Sequence, residues 1–303
     1  MAHQHVWNAL AYGTAALALT ACGESGGGVN PIAAAPLTPT PTPTPASVAV
    51  DIFQNPATQE FATVGTGDPL RIRYDATSHR YEVMAGTRGW NALVDDDNSS
   101  PLPGNPNVNF DFAGMPQSFF MIRAHYTYPP DYRYHYSNLA AWAVPAAGGQ
   151  SALAGTTAFG IATPAGAVPT SGSASFEGLI EGLSTETGPW GWDKETVPAW
   201  VSGSVQLTFN FGSGSLTGEL RPYLVADKRY DIGTIAFAKT VFGIGSQTFT
   251  GSFDTNVTGA NSFSGRFTGP NAEELIGKWV FPYLSPINGA PQSGSGAMIA
   301  KRP

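Results

Sequence analysis

The chain has 303 residues, with 15 Lys and Arg against 22 Asp and Glu, a net charge of −7 and a single Cys. An acid excess with no basic stretch excludes a nucleic-acid binder, and one Cys excludes an intrachain disulfide or a cysteine-built zinc cage. Charged residues make up only 12% of the chain, too few for a coiled coil or a charged tail, whereas 36 Gly, 25 Pro and 12% aromatics suit short strands and tight turns.

Residues 6–21 are uncharged and mainly apolar. The run is shorter than the roughly 20 residues a spanning helix needs, and it suits the core of a secretory signal peptide instead. Its end, Leu19-Thr20-Ala21-Cys22, resembles the lipobox of bacterial lipoproteins. That resemblance implies removal of residues 1–21, diacylation of Cys22 through its sulfur and acylation of the new N-terminus. The segment ahead of the apolar run carries His3 and His5 where such signals carry Lys or Arg. Residues 22–47 form a tether: Gly23 to Gly28 is a flexible swivel, and Pro39, Pro41, Pro43 and Pro45 alternate with Thr in an extended spacer. At about 3.1 Å per residue it reaches up to roughly 75 Å, enough to hold a folded domain clear of a membrane. Gly23 follows the Cys where inner-membrane lipoproteins carry Asp, so the resemblance implies no retention there.

From Val48 onward the pattern is all-β. In a first domain, residues 48–168, Leu70–Asp75 alternates apolar and polar and turns back into Arg80–Val83. Phe119–Tyr128 and Tyr132–Val144 form a second hairpin around Pro129-Pro130-Asp131. A Gly-, Ala- and Pro-rich stretch, 160–171, leads into a second domain, 169–303. There Val205, Leu207, Phe209 and Phe211 share one face by strand alternation. A hydrophobic-x-Gly-x-hydrophobic unit recurs at Phe176–Ile180, Leu216–Leu220, Phe249–Phe253 and Phe263–Phe267. Its Gly shares a face with its large neighbours, as in a small barrel whose tapering interior is filled by side chains. The length suits about eight strands. The fold class expected is therefore a small mixed-β domain followed by an eight-stranded up-and-down antiparallel barrel.

Three stretches carry a family resemblance. Thr163 to Gly178 resembles the "P-x-S-G-x-A-x-Y/F-x-G" lead-in to the barrel of transferrin-binding-protein-B-like surface lipoproteins. Gly265 to Gly277 is similar to their "G-x-F-x-G-P-x-A-x-E-x-G-G", and Gly294 to Arg302 looks like their closing "G-x-F-x-x-K-R" strand, with Met298 or Ile299 in place of Phe. The resemblance covers 169–303, and the two earlier hairpins look like the family's small "handle". It implies one handle and one barrel, carried on the outer surface of a Gram-negative cell by a lipid anchor in the outer membrane. It also implies export by a surface-lipoprotein assembly modulator, and capture of an iron carrier, haem, metal complex or host protein for a TonB-dependent receptor. Transferrin-binding protein B itself has two such lobes with long loops, whereas this chain has one lobe and short loops.

The densest polar-aromatic stretch is His125 to Tyr136. A three-residue loop at 129–131 would set Tyr126, Tyr128, Tyr132 and Tyr134 in a ladder on one side of the hairpin. On the other side it would set His125 across from His135, with Arg123 and Arg133 nearby. Tyrosine ladders make rigid binding surfaces, two imidazoles can begin a metal or haem site, and cross-strand aromatic pairs also simply stabilise hairpins. Trp190 and Trp192 fall in a long connection between the first two barrel strands, where they either plug the barrel end or contact ligand. Asp95-Asp96-Asp97-Asn98 offers oxygens to calcium but lacks the Gly and distal Glu of an EF-hand loop, and reads as a solvated loop. Asn271 to Leu275 reads as one helical turn capped by Asn271. No nucleophile elbow, zincin helix, Walker loop or dinucleotide fingerprint occurs, so neither an enzyme nor a cofactor is expected. The leading function is ligand capture for uptake. Its rivals are an adhesin or immune-evasion lipoprotein of the same fold, and a lipocalin-like carrier, which a filled interior disfavours.

Overall fold

The computed structural model describes residues 59–303 apart from 67–69, 76, 78–79, 86–88, 96–106, 113–118, 124–133, 146–151 and 190–195. The signal segment, Cys22 and the tether lie outside the described residues. Among those described, every regular element is a strand, and every strand pairing is antiparallel.

The handle sheet is built from β1 (Gln59–Glu60), β2 (Ala62–Gly65), β3 (Leu70–Asp75), β4 (Arg80–Ala85), β5 (Asn91–Asp95), β6 (Asn107–Phe112), β7 (Phe119–Arg123), β8 (Ser137–Pro145) and β9 (Ala152–Gly160). Strands β3 to β9 pair in chain order, while β1 pairs with β3 and β2 pairs with β9. Since only Phe61 separates β1 from β2, and its N–H donates to Ile72 O at 2.9 Å, one N-terminal stretch closes the sheet into a ring. The predicted first hairpin is present, with Leu70 opposite Ala85 and Asp75 opposite Arg80. Alternation sends Leu70, Ile72 and Tyr74 inward, where Phe61, Val83, Trp142 and Phe159 complete the described core.

The second hairpin departs from expectation. β7 and β8 pair with Arg123 opposite Leu139, two residues off the register that would face His125 with His135. The physical reason lies outside the hairpin. Residues 134–136 are not strand: the N–H groups of His135 and Tyr136 turn away to the carboxylate of Glu274.

The second sheet comprises β10 (Ser173–Pro189), β11 (Thr196–Asn210), β12 (Ser215–Val225), β13 (Arg229–Asp231), β14 (Ile235–Phe242), β15 (Thr248–Phe253), β16 (Ser262–Thr268), β17 (Glu274–Leu284) and β18 (Pro291–Lys301). Eight of them pair in chain order and β18 returns to β10, a closed up-and-down barrel, with β13 as a short addition to the end of β12. Val205, Leu207, Phe209 and Phe211 are all buried, as the alternation predicts. Ring centroids of Phe267, Phe249, Phe242 and Phe176 stand 4.9, 5.1, 5.2 and 5.5 Å from that of Phe209. The centre of the barrel is thus packed aromatic side chain, in the offset and edge-on geometries such rings prefer.

The glycine units work across strands. Phe249 lies opposite Gly265 and Phe263 opposite Gly251, so each ring covers the glycine of its neighbour strand. A Cβ built on Gly251 would stand 2.5 Å from Phe263 Cζ, and one on Gly265 would stand 2.6 Å from Ile276 O as well as inside the Phe249 ring's space. Trp279 does the same over the facing pair Gly182 and Gly296, while its Nε1 donates to Ala297 O at 3.0 Å.

The connection holding Trp190 and Trp192 is shorter than the sequence suggests. β10 and β11 stay paired to Pro189 opposite Thr196, leaving only residues 190–195 between them. The strands continue because Val197 and Ala199 are still buried beyond the last pairing of β10 with β18 at Ser184.

Candidate functional site

The handle lies against the outer wall of the barrel. Outward residues Ile276 of β17 and Ala297 and Ile299 of β18 are buried against Tyr134, Leu139 and Ala158, with Ala62 and Val64 packed at the edge. Glu274 anchors this seam. It is 2% exposed, its Oε1 accepts the His135 N–H at 2.6 Å and its Oε2 the Tyr136 N–H at 3.1 Å. Burial pushes its carboxyl up to about 7, against the pull of the two N–H donors, Ser137 and Lys301. Beside it, Ser137 Oγ and Thr268 Oγ1 share a hydrogen bond of 2.5 Å. Ala162 bridges to Thr268, the Thr163 N–H donates to Phe267 O at 3.1 Å, and the Gly269 N–H donates to Ile161 O at 2.9 Å.

The closing Lys-Arg pair serves the same end of the barrel. Lys301 stands opposite Glu274. The Arg302 guanidinium carbon sits 5.5 and 5.8 Å from the centroids of Phe176 and Phe211, a cationic cap over the aromatic interior. The expected helical turn at Asn271–Leu275 is not formed. Ala272 adopts φ +57, Glu273 folds back so that Asn271 donates to it from both its backbone N–H and its Nδ2, each at 2.8 Å, and Glu274 opens β17.

The opposite, distal end differs in character. Strand directions place there the end of β12, the β13 turn and the 285–290 loop. Large apolar side chains are exposed on it: Val225, Leu284 (56%) and Ile287 (39%). Arg229 lies 4.9 Å from the Tyr223 ring centroid and Lys228 4.9 Å from that of Tyr230, whose hydroxyl donates to Asp227 Oδ1 at 2.9 Å. Inside the mouth, Ser184 Oγ and the Tyr283 hydroxyl are 2.5 Å apart, and burial pushes the Tyr283 hydroxyl up to about 12. Glu186, 3% exposed, accepts Ser285 Oγ–H at 2.6 Å and Asn288 Nδ2–H at 3.3 Å on Oε1, whereas its buried Oε2 has no hydrogen-bond partner. The distal end thus combines exposed apolar side chains with aromatic–cationic pairs and a buried carboxylate.

A smaller aromatic–cationic strip lies on the outer face of the handle. Trp90 has Arg73 at 4.3 Å and Arg71 at 5.2 Å from its ring centroid, and these arginines also pair with Glu82 and Glu60.

Of the residues singled out from sequence, Cys22, His125, Tyr126, Tyr128, Tyr132, Arg133, Trp190 and Trp192 lie outside the described residues, as do Asp96 to Asn98. Tyr134 is 6% exposed and belongs to the seam, not to an exposed ladder. His135 is exposed and contributes its backbone N–H to Glu274. Glu186 and the 284–290 loop were not anticipated. Their signal was a strand alternation running on from Phe176 and Ile180, which sends Ser184 and Glu186 inward.

Residues 168–302 match the family described as the C-lobe and N-lobe beta barrels of Tf-binding protein B. Among solved structures, the chain is similar to isotype 1 transferrin binding protein B from serogroup B Neisseria meningitidis, with 16% identity and TM-score 0.45 over 83% of this chain and 45% of that one. It is also similar to a double mutant of the Haemophilus parasuis Hp5 protein, with 16% identity and TM-score 0.41 over 77% and 50%. A mutant of the Actinobacillus pleuropneumoniae H49 protein matches at 14% identity and TM-score 0.39, over 82% and 100%. The chain spans about half the length of the first two. No curated protein matches it. Over residues 168–302, its barrel, this chain is similar to the transferrin-binding-protein-B lobe family.

Proposed function

We propose that this protein is a lipid-anchored capture protein of the outer cell surface, tethered through Cys22, which binds a protein ligand at the distal rim of its barrel. The observation that carries the reading is that the distal end exposes large apolar side chains at two places, Val225 at the end of β12 beside the Tyr223–Arg229 pair, and Leu284 and Ile287 at the end of β17. In this reading Trp190 and Trp192 are further ligand contacts. An interior filled by phenylalanine rings speaks against a small ligand carried inside. The family's role in iron acquisition makes an iron-bearing protein the leading ligand, a surface-lipoprotein assembly modulator the exporter and a TonB-dependent receptor the recipient.

The test uses cells displaying the chain, incubated separately with labelled iron-loaded transferrin, lactoferrin and haemoglobin. Retention of at least one, lost when Val225, Leu284 and Ile287 are changed together to Ser, supports the reading. Retention of none, or retention indifferent to that change, contradicts it.

A further inference from the structure

We infer that Glu186 is the receptor for a cationic N–H donor, a guanidinium or ammonium group, carried by a protein partner that docks on the 284–290 loop. The inference rests on the distal-rim reading above and names the chemistry of the partner.

Supply and demand around this carboxylate are uneven. A carboxylate accepts hydrogen bonds on both oxygens, yet both local donors, Ser285 and Asn288, fall on Oε1, and Oε2 is buried with no partner. A buried acceptor left unmatched is unfavourable, more so when charged. The neighbouring cations do not relieve it: Lys228 and Arg229 lie over the rings of Tyr230 and Tyr223. The hydroxyls below it are engaged with each other, Ser184 with Tyr283. One unpaired carboxylate oxygen falls far short of the six to eight oxygens a calcium ion gathers, so an N–H donor suits Oε2 better than a metal does.

The loop beside Glu186 shapes the approach. Ser285 Oγ donates to Glu186 while accepting the Ile287 and Asn288 N–H groups at 3.0 and 3.2 Å. That fold stands Leu284 and Ile287 outward on either side of Ser285. Exposed apolar side chains flanking a desolvated polar anchor reproduce the anatomy of an interface hot spot, where a buried charge pair counts once water is excluded. The Asn288 contact, 3.3 Å from an exposed side chain, is the weakest at the carboxylate and the one a stronger donor would displace.

The probe is an acetylated, amidated Leu-Arg-Leu tripeptide, compared with the same peptide carrying citrulline, which keeps the shape and removes the charge. Titrations followed by NMR use the chain from residue 22 on with Cys22→Ser, alone and with Glu186→Gln. The expected result is saturable binding of the arginine peptide with shifts at the 285–288 amides, weakened at least tenfold by citrulline and likewise by Glu186→Gln. Equal binding of the two peptides to the unaltered mouth, or no saturable binding, overturns the inference, and the citrulline comparison holds even if the Gln variant folds poorly. If peptide selectivity is missing while rim-dependent retention of an iron-bearing protein persists on cells, the inference fails alone. If that retention is also missing, the distal-rim reading fails with it.

Discussion

A side chain placed on Gly265 has nowhere to go. Its Cβ would stand 2.6 Å from the backbone oxygen of Ile276, an atom fixed in the β16–β17 ladder, and would also enter the Phe249 ring. At Gly251 the closest atoms are Cζ and Cε1 of Phe263, at 2.5 and 2.7 Å, with Lys239 O at 3.0 Å. A ring in a packed core tilts at a cost, whereas a ladder carbonyl moves only with its strand. Overpacking costs about 1–3 kcal/mol, so Gly251→Val should fall within that range and Gly265→Val at or above its upper end. Thr250, exposed on the outer face of β15, sets the baseline: Thr250→Val should change stability by less than about 0.5 kcal/mol. Urea denaturation followed by tryptophan fluorescence compares the midpoints of the three variants. Similar midpoints for all three would refute the filled-barrel reasoning and return the small-ligand carrier to consideration. A larger loss at Gly251 than at Gly265 would refute the distinction between ring and backbone.

Glu274 gives a pH test: its folded carboxyl at about 7, above the ordinary 4.5, means the native state holds the proton more tightly. The resulting stabilisation is complete below about 4.5 and is lost as pH rises through 7; the gap caps it at on the order of 3 kcal/mol. Glu274→Gln should flatten the stability–pH curve in that window, and an unchanged slope would remove the buried carboxylate from the account. Tyr134→Ala, emptying a buried aromatic site in the seam, should cost about 3 kcal/mol and raise hydrogen exchange in β8 and β9, with no such rise if the seam is not load-sharing. Cys22→Ser should release the protein from outer membranes; material that still resists carbonate washing would contradict the anchor.

Much of the barrel was legible because its rules are local. Strand alternation through Val205 to Phe211 fixes which side is inside whatever the neighbours are, and a glycine between large apolar residues signals a crowded interior. The failures occurred where a distant group overrides the local pattern. β7 and β8 pair two residues off the expected register, and the N–H groups of His135 and Tyr136 go instead to Glu274, 139 positions away from His135. Asn271-Ala272-Glu273-Glu274 has the composition of a capped helical turn, but Glu274 is needed in the seam and Ala272 takes a left-handed conformation to deliver it. Thr185 to Pro189 reads as loop because it is polar and ends in Gly-Pro, yet pairing with β11 carries it on as strand. Glu186 was hidden for the same reason: a carboxylate at an inward position looks like loop until the strand is known to continue.

The capture surface can be tested most directly by photo-crosslinking from the displayed protein. A photoreactive amino acid is placed either at Ile287 on the distal rim or at Val241, which is more exposed (67% against 39%) but lies on β14 near the handle end of the barrel. Iron-loaded transferrin, lactoferrin or haemoglobin, whichever the cells retain, should crosslink from position 287 and not from 241. Crosslinking from 241 alone, or equally from both, would contradict capture at the distal rim.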